Sequence, residues 1–582
     1  MKKRNVFAIL LSMMLIFSAV VLATQGGSNI IKDVRLIGKV ITQTYENYVD
    51  PIDTHKFILS GIKGLMSGLD FHTVYFEPKD YEDLKTSTRG EFGGLGIIIG
   101  MRDNILTIIS PMEGTPAYRM GLTAGDKIVM IDGEPTKGMN TEDAVDVLRG
   151  EPGTEVTITI VRVGAPDPMD YTIVRDIIHI DAVPFAGMID DEIGYIRLAR
   201  FSEEAGAEVR AAVDSLKSLG MRDLVFDLRS NSGGLLSQAV EVASVFLEPS
   251  ELVVYTQGRE ERSRRNFFSR WGNAFDEGKL IVLQNGGSAS ASEIVAGAIQ
   301  DHDRGIIYGT LSFGKGLVQS VIPLSEDGDA LKITTAKYYI PSGRCIQKED
   351  YLDRPESVVL RPELSEEEKA EKKEAVGDRW WEHDVITEDD LASDSIPKDA
   401  PIYYTDKGRK VYGGGGISPD VFFEPERLSR FEIELERRNM FFAFTVDYLA
   451  ENDEFPPDFK VDDNLYRQFV DYVLARDFEY KTLLEVRLEE AQEAAEEMGY
   501  NSEIYEHFDI IHVMIEQEKV KDFERKRDYI ERGLRREFVT QVWGEKANYQ
   551  YVIFDTDPAI ARAVELIRNE REYFALLSPS DD

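Results

Sequence analysis

Phe226-Asp227-Leu228-Arg229-Ser230-Asn231-Ser232-Gly233-Gly234 is an apolar strand that runs into a glycine turn, and Leu235–Phe246 behind it has the pattern of a helix. The same succession recurs on both sides of it. Ile193–Leu198 reads as a strand, and the helix after it carries Val209, Ala212, Leu216 and Leu219 on one face and stops at Gly220. Leu280–Leu283 and Ile306–Tyr308 are further short apolar runs, each followed by a glycine-bearing turn. Strands alternating with helices between about 190 and 345 predict an α/β core.

Three turns of this core carry residues suited to chemistry. Free N–H groups where Gly233-Gly234 opens a helix would stabilise an anion, as an acyl-transfer oxyanion requires. Gly287-Ser288-Ala289-Ser290-Ala291-Ser292-Glu293 puts small residues between a buried strand and the next helix, and a serine on so sharp a turn is held exposed. Phe313-Gly314-Lys315-Gly316-Leu317-Val318-Gln319 sets a lysine among glycines and apolar residues. Burial disfavours the charged ammonium, so such a lysine can act as the base for a serine. Gln319, four residues on, can hold the amine through its side-chain oxygen.

Outward from the core the chain divides further. Its 582 residues suggest about four domains. Residues 28–90 show apolar positions at three- and four-residue steps, as in Ile31, Val34, Ile37 and Ile41, and predict a helical region. Residues 351–400 hold 16 acids against 7 bases and little periodicity, which predicts a solvated insertion. Residues 401–425 are read as a return to the core, and 426–582 as a charged helical extension.

Composition removes several classes of function. A formal charge of −38 opposes binding to nucleic acid. The lone cysteine, Cys345, excludes an internal disulfide framework and a multi-cysteine metal site, and no H-E-x-x-H pair is present. No metal and no cofactor is expected. Lys2, Lys3 and Arg4 precede an uncharged apolar run, Val6 to Ala23, that has the make-up of an export signal or an uncleaved membrane anchor within residues 1–27. Either places the body of the protein outside the cytoplasm, in the periplasm or cell envelope.

Residues 91–165 are β-rich and contain Gly93-Gly94-Leu95-Gly96-Ile97, Gly114-Thr115-Pro116-Ala117, Gly121-Leu122, Gly125-Asp126 and Ile131-Asp132-Gly133. This order resembles a PDZ domain. The resemblance implies that the turn of Gly94, Leu95, Gly96 and Ile97 binds a peptide's terminal carboxylate and that the following strand pairs with the peptide. Arg149, in Leu148-Arg149-Gly150, is a candidate for signalling between this module and the core.

The order of PDZ module, D-L-R-S-N-x-G-G, G-S-A-S-A-S-E and F-G-K-G-x-V-Q resembles the carboxyl-terminal processing (tail-specific) peptidases. Tyr48-Val49-Asp50-Pro51, Pro341-Ser342-Gly343-Arg344-Cys345-Ile346-Gln347 and Gly413–Asp420 match as well. The resemblance covers residues 30 to about 425 and implies an α/β protease core over 166–350, an inserted PDZ domain and helical flanks. It implies Ser290 as nucleophile, Lys315 as general base and Gln319 as its orienting partner. The oxyanion donors would be the N–H of Ala291 and one from Gly233 or Gly234. Ser288, Ser292 and Glu293 are read as structural. Substrates would be proteins or peptides held by their C-termini, and a homo-oligomer or an adaptor protein would be compatible with the amphipathic flanks. Leu69-Asp70-Phe71-His72-Thr73 and Ser232 depart from the family's usual Leu-Asp-Pro-His-Ser and proline. A catalytically silent peptide-binding scaffold is the alternative.

Overall fold

The computed structural model describes residues 27–270, 274–326, 328–348, 400–423, 427–452, 455–500 and 502–579. The apolar run at 6–23 and nearly all of the acidic insertion lie outside these residues. The chain forms two compact units, one of residues up to Lys79 with Gln319–Thr334, the other of Asp80–Val318 with Thr335 onward.

The smaller unit contains helices Gly27–Asn47 and Thr54–Ser67, the latter capped by Asp53, whose carboxylate accepts from the His55 and Lys56 amides. Strand Val74–Phe76 pairs antiparallel with Ala330–Lys332. Ile30, Val34, Leu36, Val40 and Leu65 of its helices are all exposed. No helix among the described residues is long and apolar enough to cross a membrane.

In the larger unit, six strands form the core sheet in chain order: β1 (Phe185–Met188), β2 (Ile193–Arg197), β3 (Asp223–Asp227), β4 (Leu280–Gln284), β5 (Ile306–Gly309) and β6 (Val421–Phe422). β1 and β2 are antiparallel, and every later pair is parallel, with Phe226 opposite Val282 and Val282 opposite Ile307. Helices α1 (Ala205–Ser218), α2 (Leu236–Ala243) and α3 (Ala291–Asp301) make the crossovers. Right-handed crossovers that step in one direction put all their helices on one face of a sheet. Leu224, Phe226, Leu280, Val282 and Ile307 accordingly bury against Val209, Val213, Val240, Val295 and Ile299.

That topology leaves the other face bare, and the C-terminus covers it. Helices α4 (Pro558–Arg568) and α5 (Glu570–Leu576) bring Ile560, Ala563, Leu566, Ile567 and Tyr573 onto Tyr195, Val225, Ile281, Leu283, Ile306 and Tyr308. The Tyr573 hydroxyl also meets the backbone of Leu280, at 2.9 Å to its N and 3.1 Å to its O. Strands buried on both faces read as unbroken apolar runs, which is the pattern of Leu280–Gln284. The last part of the presumed helical extension is therefore a layer of the core. The segment between it and residue 427 has a separate aromatic core that includes Phe431, Phe441, Phe444, Phe469 and Phe538.

The PDZ module is a six-stranded sheet that includes Ile97–Arg102, Ile105–Pro111, Lys127–Ile131, Glu155–Val161 and Met169–Val174, with helix Thr141–Leu148 beside it. Its sheet runs past residue 165 because Met169–Val174 pairs with the full length of Glu155–Ile160. Glu91–Gly94 pairs with Asp176–His179, so the two strands entering and leaving the module form one ribbon.

Candidate active site

The three motifs converge because β3, β4 and β5 are neighbours and parallel, so the turns at their C-terminal ends meet along one edge of the sheet. Helix N-termini gather at such an edge, where ligands bind in open α/β sheets.

Of the three serines after β4, two are committed to holding the turns together. The Ser288 hydroxyl donates to the Leu228 carbonyl and that of Ser292 to the Asn231 carbonyl, both at 2.8 Å, and both residues are buried. Ser290, half-buried between them, has φ 55° and ψ −109°, an unfavourable backbone for a residue with a side chain. Such strain at a strand-to-helix turn is the geometry of an exposed nucleophile. The glycine turn packs directly on it. A Cβ on Gly233 would lie 2.9 Å from Ser290 Cβ and 3.0 Å from the Ala291 nitrogen, so any side chain there would cover that amide. The Gly233 amide itself donates to Asn231 Oδ1 at 2.9 Å.

The glycine turn is anchored from below by Asp227. Its buried carboxylate accepts from the Tyr195 hydroxyl at 2.7 Å, Arg197 at 2.8 Å and Arg229 at 2.6 Å. Burial pushes this carboxyl up, but the Arg229 and Arg197 guanidiniums more than reverse that and hold it well below the usual carboxylate range. Arg229 reaches on to Asp557, the N-cap of α4, at 2.8 Å.

Lys315 sits on a loop whose amides are all spoken for. Phe313 donates to the Ser288 carbonyl, Gly314 and Lys315 to Glu293, and Gly316 to Gln347 Oε1. Glu293 is the residue whose role the sequence reading missed. Its Oε1 accepts from the Ser312 hydroxyl at 2.6 Å and the Gly314 amide at 2.7 Å. Its Oε2 accepts from the Ser290 amide at 2.7 Å and the Lys315 amide at 3.0 Å, so one oxygen joins the backbones of both residues. Burial outweighs the four donors and pushes the Glu293 carboxyl from 4.5 up to about 7. A glutamate three residues into a helix is an ordinary capping partner, and only the approach of the lysine loop from β5 makes it a bridge.

Gln319 lies on the strand Leu317–Pro323, in the smaller unit, with a buried Nε2 that has no hydrogen-bond partner among the described residues. In the PDZ module Gly96 has φ +76°, and a Cβ there would stand 2.3 Å from Thr115 Cβ, so the turn requires glycine. The Leu95 carbonyl accepts from Ala117 and that of Gly96 from Met112, which holds Gly94 to Ile97 in shape. Arg149 lies over the Phe92 ring at 4.7 Å and pairs with Asp83 at 3.0 Å.

Residues 192–352 match peptidase family S41, residues 107–162 match a PDZ domain, and residues 431–567 match "Probable PDZ-protease, C-terminal helical domain". The carboxy-terminal-processing protease of Bartonella bacilliformis is 44% identical over 346 residues, 59% of this chain and 79% of that protein. The carboxyl-terminal-processing protease of Synechocystis sp. is 36% identical over 329 residues, 55% of this chain and 75% of that protein. Among solved structures, the photosystem II D1 C-terminal processing protease is 32% identical, covers 52% of this chain and 82% of its own, and has a TM-score of 0.32. The α/β core and its PDZ module thus define a PDZ-containing serine peptidase. The chain belongs to the carboxy-terminal-processing protease family, within peptidase family S41.

Proposed function

We propose that this peptidase cleaves with a Ser290–Lys315 pair, assisted by Gln319, on substrates captured by their C-terminal tails. The observation that carries the reading is the single Glu293 oxygen to which the Ser290 and Lys315 amides both donate. In this mechanism neutral Lys315 takes the Ser290 proton as Oγ attacks the peptide carbonyl carbon. The oxyanion is received by the Ala291 and Gly234 amides. The carbon–nitrogen bond then breaks as Lys315 returns the proton to the leaving amine. Water, deprotonated by the same lysine, hydrolyses the ester and restores Ser290. The buried Nε2 of Gln319, without a hydrogen-bond partner among the described residues, supports a role for that side chain beyond packing.

The direct test is covalent labelling with a fluorophosphonate, followed by mass mapping of the modified residue. Modification of Ser290, lost in Ser290→Ala and strongly slowed in Lys315→Ala, is expected. Labelling elsewhere, or cleavage of an unfolded protein by either variant, would refute the assignment.

Gly94, Leu95, Gly96 and Ile97 are proposed to bind the tail carboxylate, and Arg149 to relay occupancy through Phe92 and Asp83. Gly96→Ala should weaken binding of an apolar-tailed peptide about tenfold or more, because alanine at positive φ costs roughly 1–2 kcal/mol before the Thr115 clash is added. Calorimetric titration would read this, and unchanged affinity would put the carboxylate elsewhere. The basic, then apolar N-terminus supports export to the periplasm or cell envelope, with residues 6–23 as cleaved signal or anchor. The exposed apolar side chains of the smaller unit's helices support pairing with a second copy or an adaptor.

A further inference from the structure

We propose that Tyr338 is a positioning residue for the Ser290–Lys315 pair, its hydroxyl bridging the carbonyls of both residues. The inference rests on the pair proposed above and extends it. Tyr338 is the last residue but one of the strand Ala330–Tyr339, and its phenol reaches the Ser290 carbonyl at 3.1 Å and hydrogen-bonds the Lys315 carbonyl. Its backbone amide donates to the Gly316 carbonyl at 2.9 Å, so side chain and main chain grip the same loop. The ring is 1% exposed and packed within the main core, so the hydroxyl is delivered from a rigid support.

Glu293 and Tyr338 divide the work by chemistry. Glu293, an acceptor, takes the two amides of Ser290 and Lys315. Tyr338 has a single O–H hydrogen, which is shared between their two carbonyls. Each bond pair spans the β4 and β5 turn segments. Ser290 and Lys315, each held at its own N–H and at its own C=O, cannot turn independently, so the separation of the side chains is set before substrate arrives. Ser290 keeps its positive φ only if the surroundings over-determine it, and this grip is part of what does so. Burial pushes the phenol well above its ordinary value, with the Glu293 charge adding to the effect, so Tyr338 remains a donor throughout the working pH range.

The test is Tyr338→Phe, which fills the same space and removes only the hydroxyl. The rate of Ser290 labelling by a fluorophosphonate and kcat on an unfolded protein substrate should fall together by about tenfold or more. KM and the affinity of an apolar-tailed peptide should stay within twofold, which separates positioning from a general loss of structure. p-Aminophenylalanine at position 338 restores a donor on the same ring and should recover most of the rate. Tyr339→Phe, whose ring stacks on Tyr255, serves as the neutral comparison. Wild-type labelling and turnover in Tyr338→Phe would overturn the proposal, as would a loss that p-aminophenylalanine leaves unchanged. If the Phe variant does not fold, the p-aminophenylalanine protein alone decides: a rate below a tenth of wild type overturns it. Retained cleavage by Ser290→Ala or Lys315→Ala overturns the pair itself, a result distinct from these.

Discussion

Glu293→Ala should lower kcat/KM by about 1,000-fold or more, and Glu293→Gln by roughly 10- to 100-fold, with tail-peptide affinity unchanged in both. Alanine leaves the Ser290, Gly314 and Lys315 amides and the Ser312 hydroxyl without their common acceptor. Each buried donor so orphaned costs about 1–3 kcal/mol, and the cost falls on the two segments that carry the chemistry. Glutamine keeps one acceptor oxygen. Its amide nitrogen must face one pair of donors, and the Ser312 side is the less costly because that hydroxyl can turn to accept. The Gly314 amide is then left over, a loss of about 1–3 kcal/mol, or one to two powers of ten in rate.

The same carboxyl predicts opposite pH trends for activity and stability. Its value in the fold, about 7, lies above its ordinary 4.5 because it is buried. The folded protein therefore binds this proton more tightly than the unfolded chain does. Stability from this group is fully present below about 4.5 and is lost as pH rises through about 7, a change of a few kcal/mol at most. Activity should move the other way, since the protonated carboxyl, like glutamine, cannot accept from all four donors. Thermal unfolding and initial rates measured between pH 5 and pH 8 on wild type and Glu293→Gln would show both trends in the first and neither in the second. A wild-type pH dependence that survives in Glu293→Gln would assign it to another group.

Ending the chain at Thr556 should abolish the folded peptidase, although every residue proposed for catalysis lies before it. Ile560, Leu566, Ile567, Tyr573 and Leu577 are among the side chains that cover the second face of the core sheet. At about 1.5–3 kcal/mol per buried side chain their loss approaches 10 kcal/mol, comparable to the 5–15 kcal/mol that holds a typical domain folded. The truncated chain should be insoluble or lack a cooperative thermal transition. A soluble truncation that still cleaves would show that this face does not need its cover. Asp557→Ala is the milder form of the same experiment. It removes the N-cap of α4, worth about 1 kcal/mol, and the partner that Arg229 has outside the core. Its effect should appear in turnover, through the glycine turn, with no change in tail binding.

Much of the architecture could be read locally. Short apolar runs and period-3.6 patterns, with glycine as punctuation, located β2 to β5 and the helices between them, because strands buried on both faces are apolar throughout and their crossovers are amphipathic. The PDZ turn was equally legible, since a glycine such as Gly96 is required by its own φ and its immediate neighbours. Boundaries were less so: the PDZ sheet continues to Val174, and a pairing between strands leaves no mark in either strand alone.

The sequence by itself determined which residues stand at the ends of the strands, and hence that Ser290, Lys315 and the Gly233–Gly234 turn would be candidates for chemistry. Tertiary structure decided what holds them. Glu293 read only as a structural residue and Tyr338 carried no local signal, because their decisive partners arrive from other segments of the chain. The terminal helices looked like an appendage for a related reason. A parallel sheet with all its crossovers on one face must bury the other, and nothing in the pattern of residues 558–577 says which apolar surface that will be.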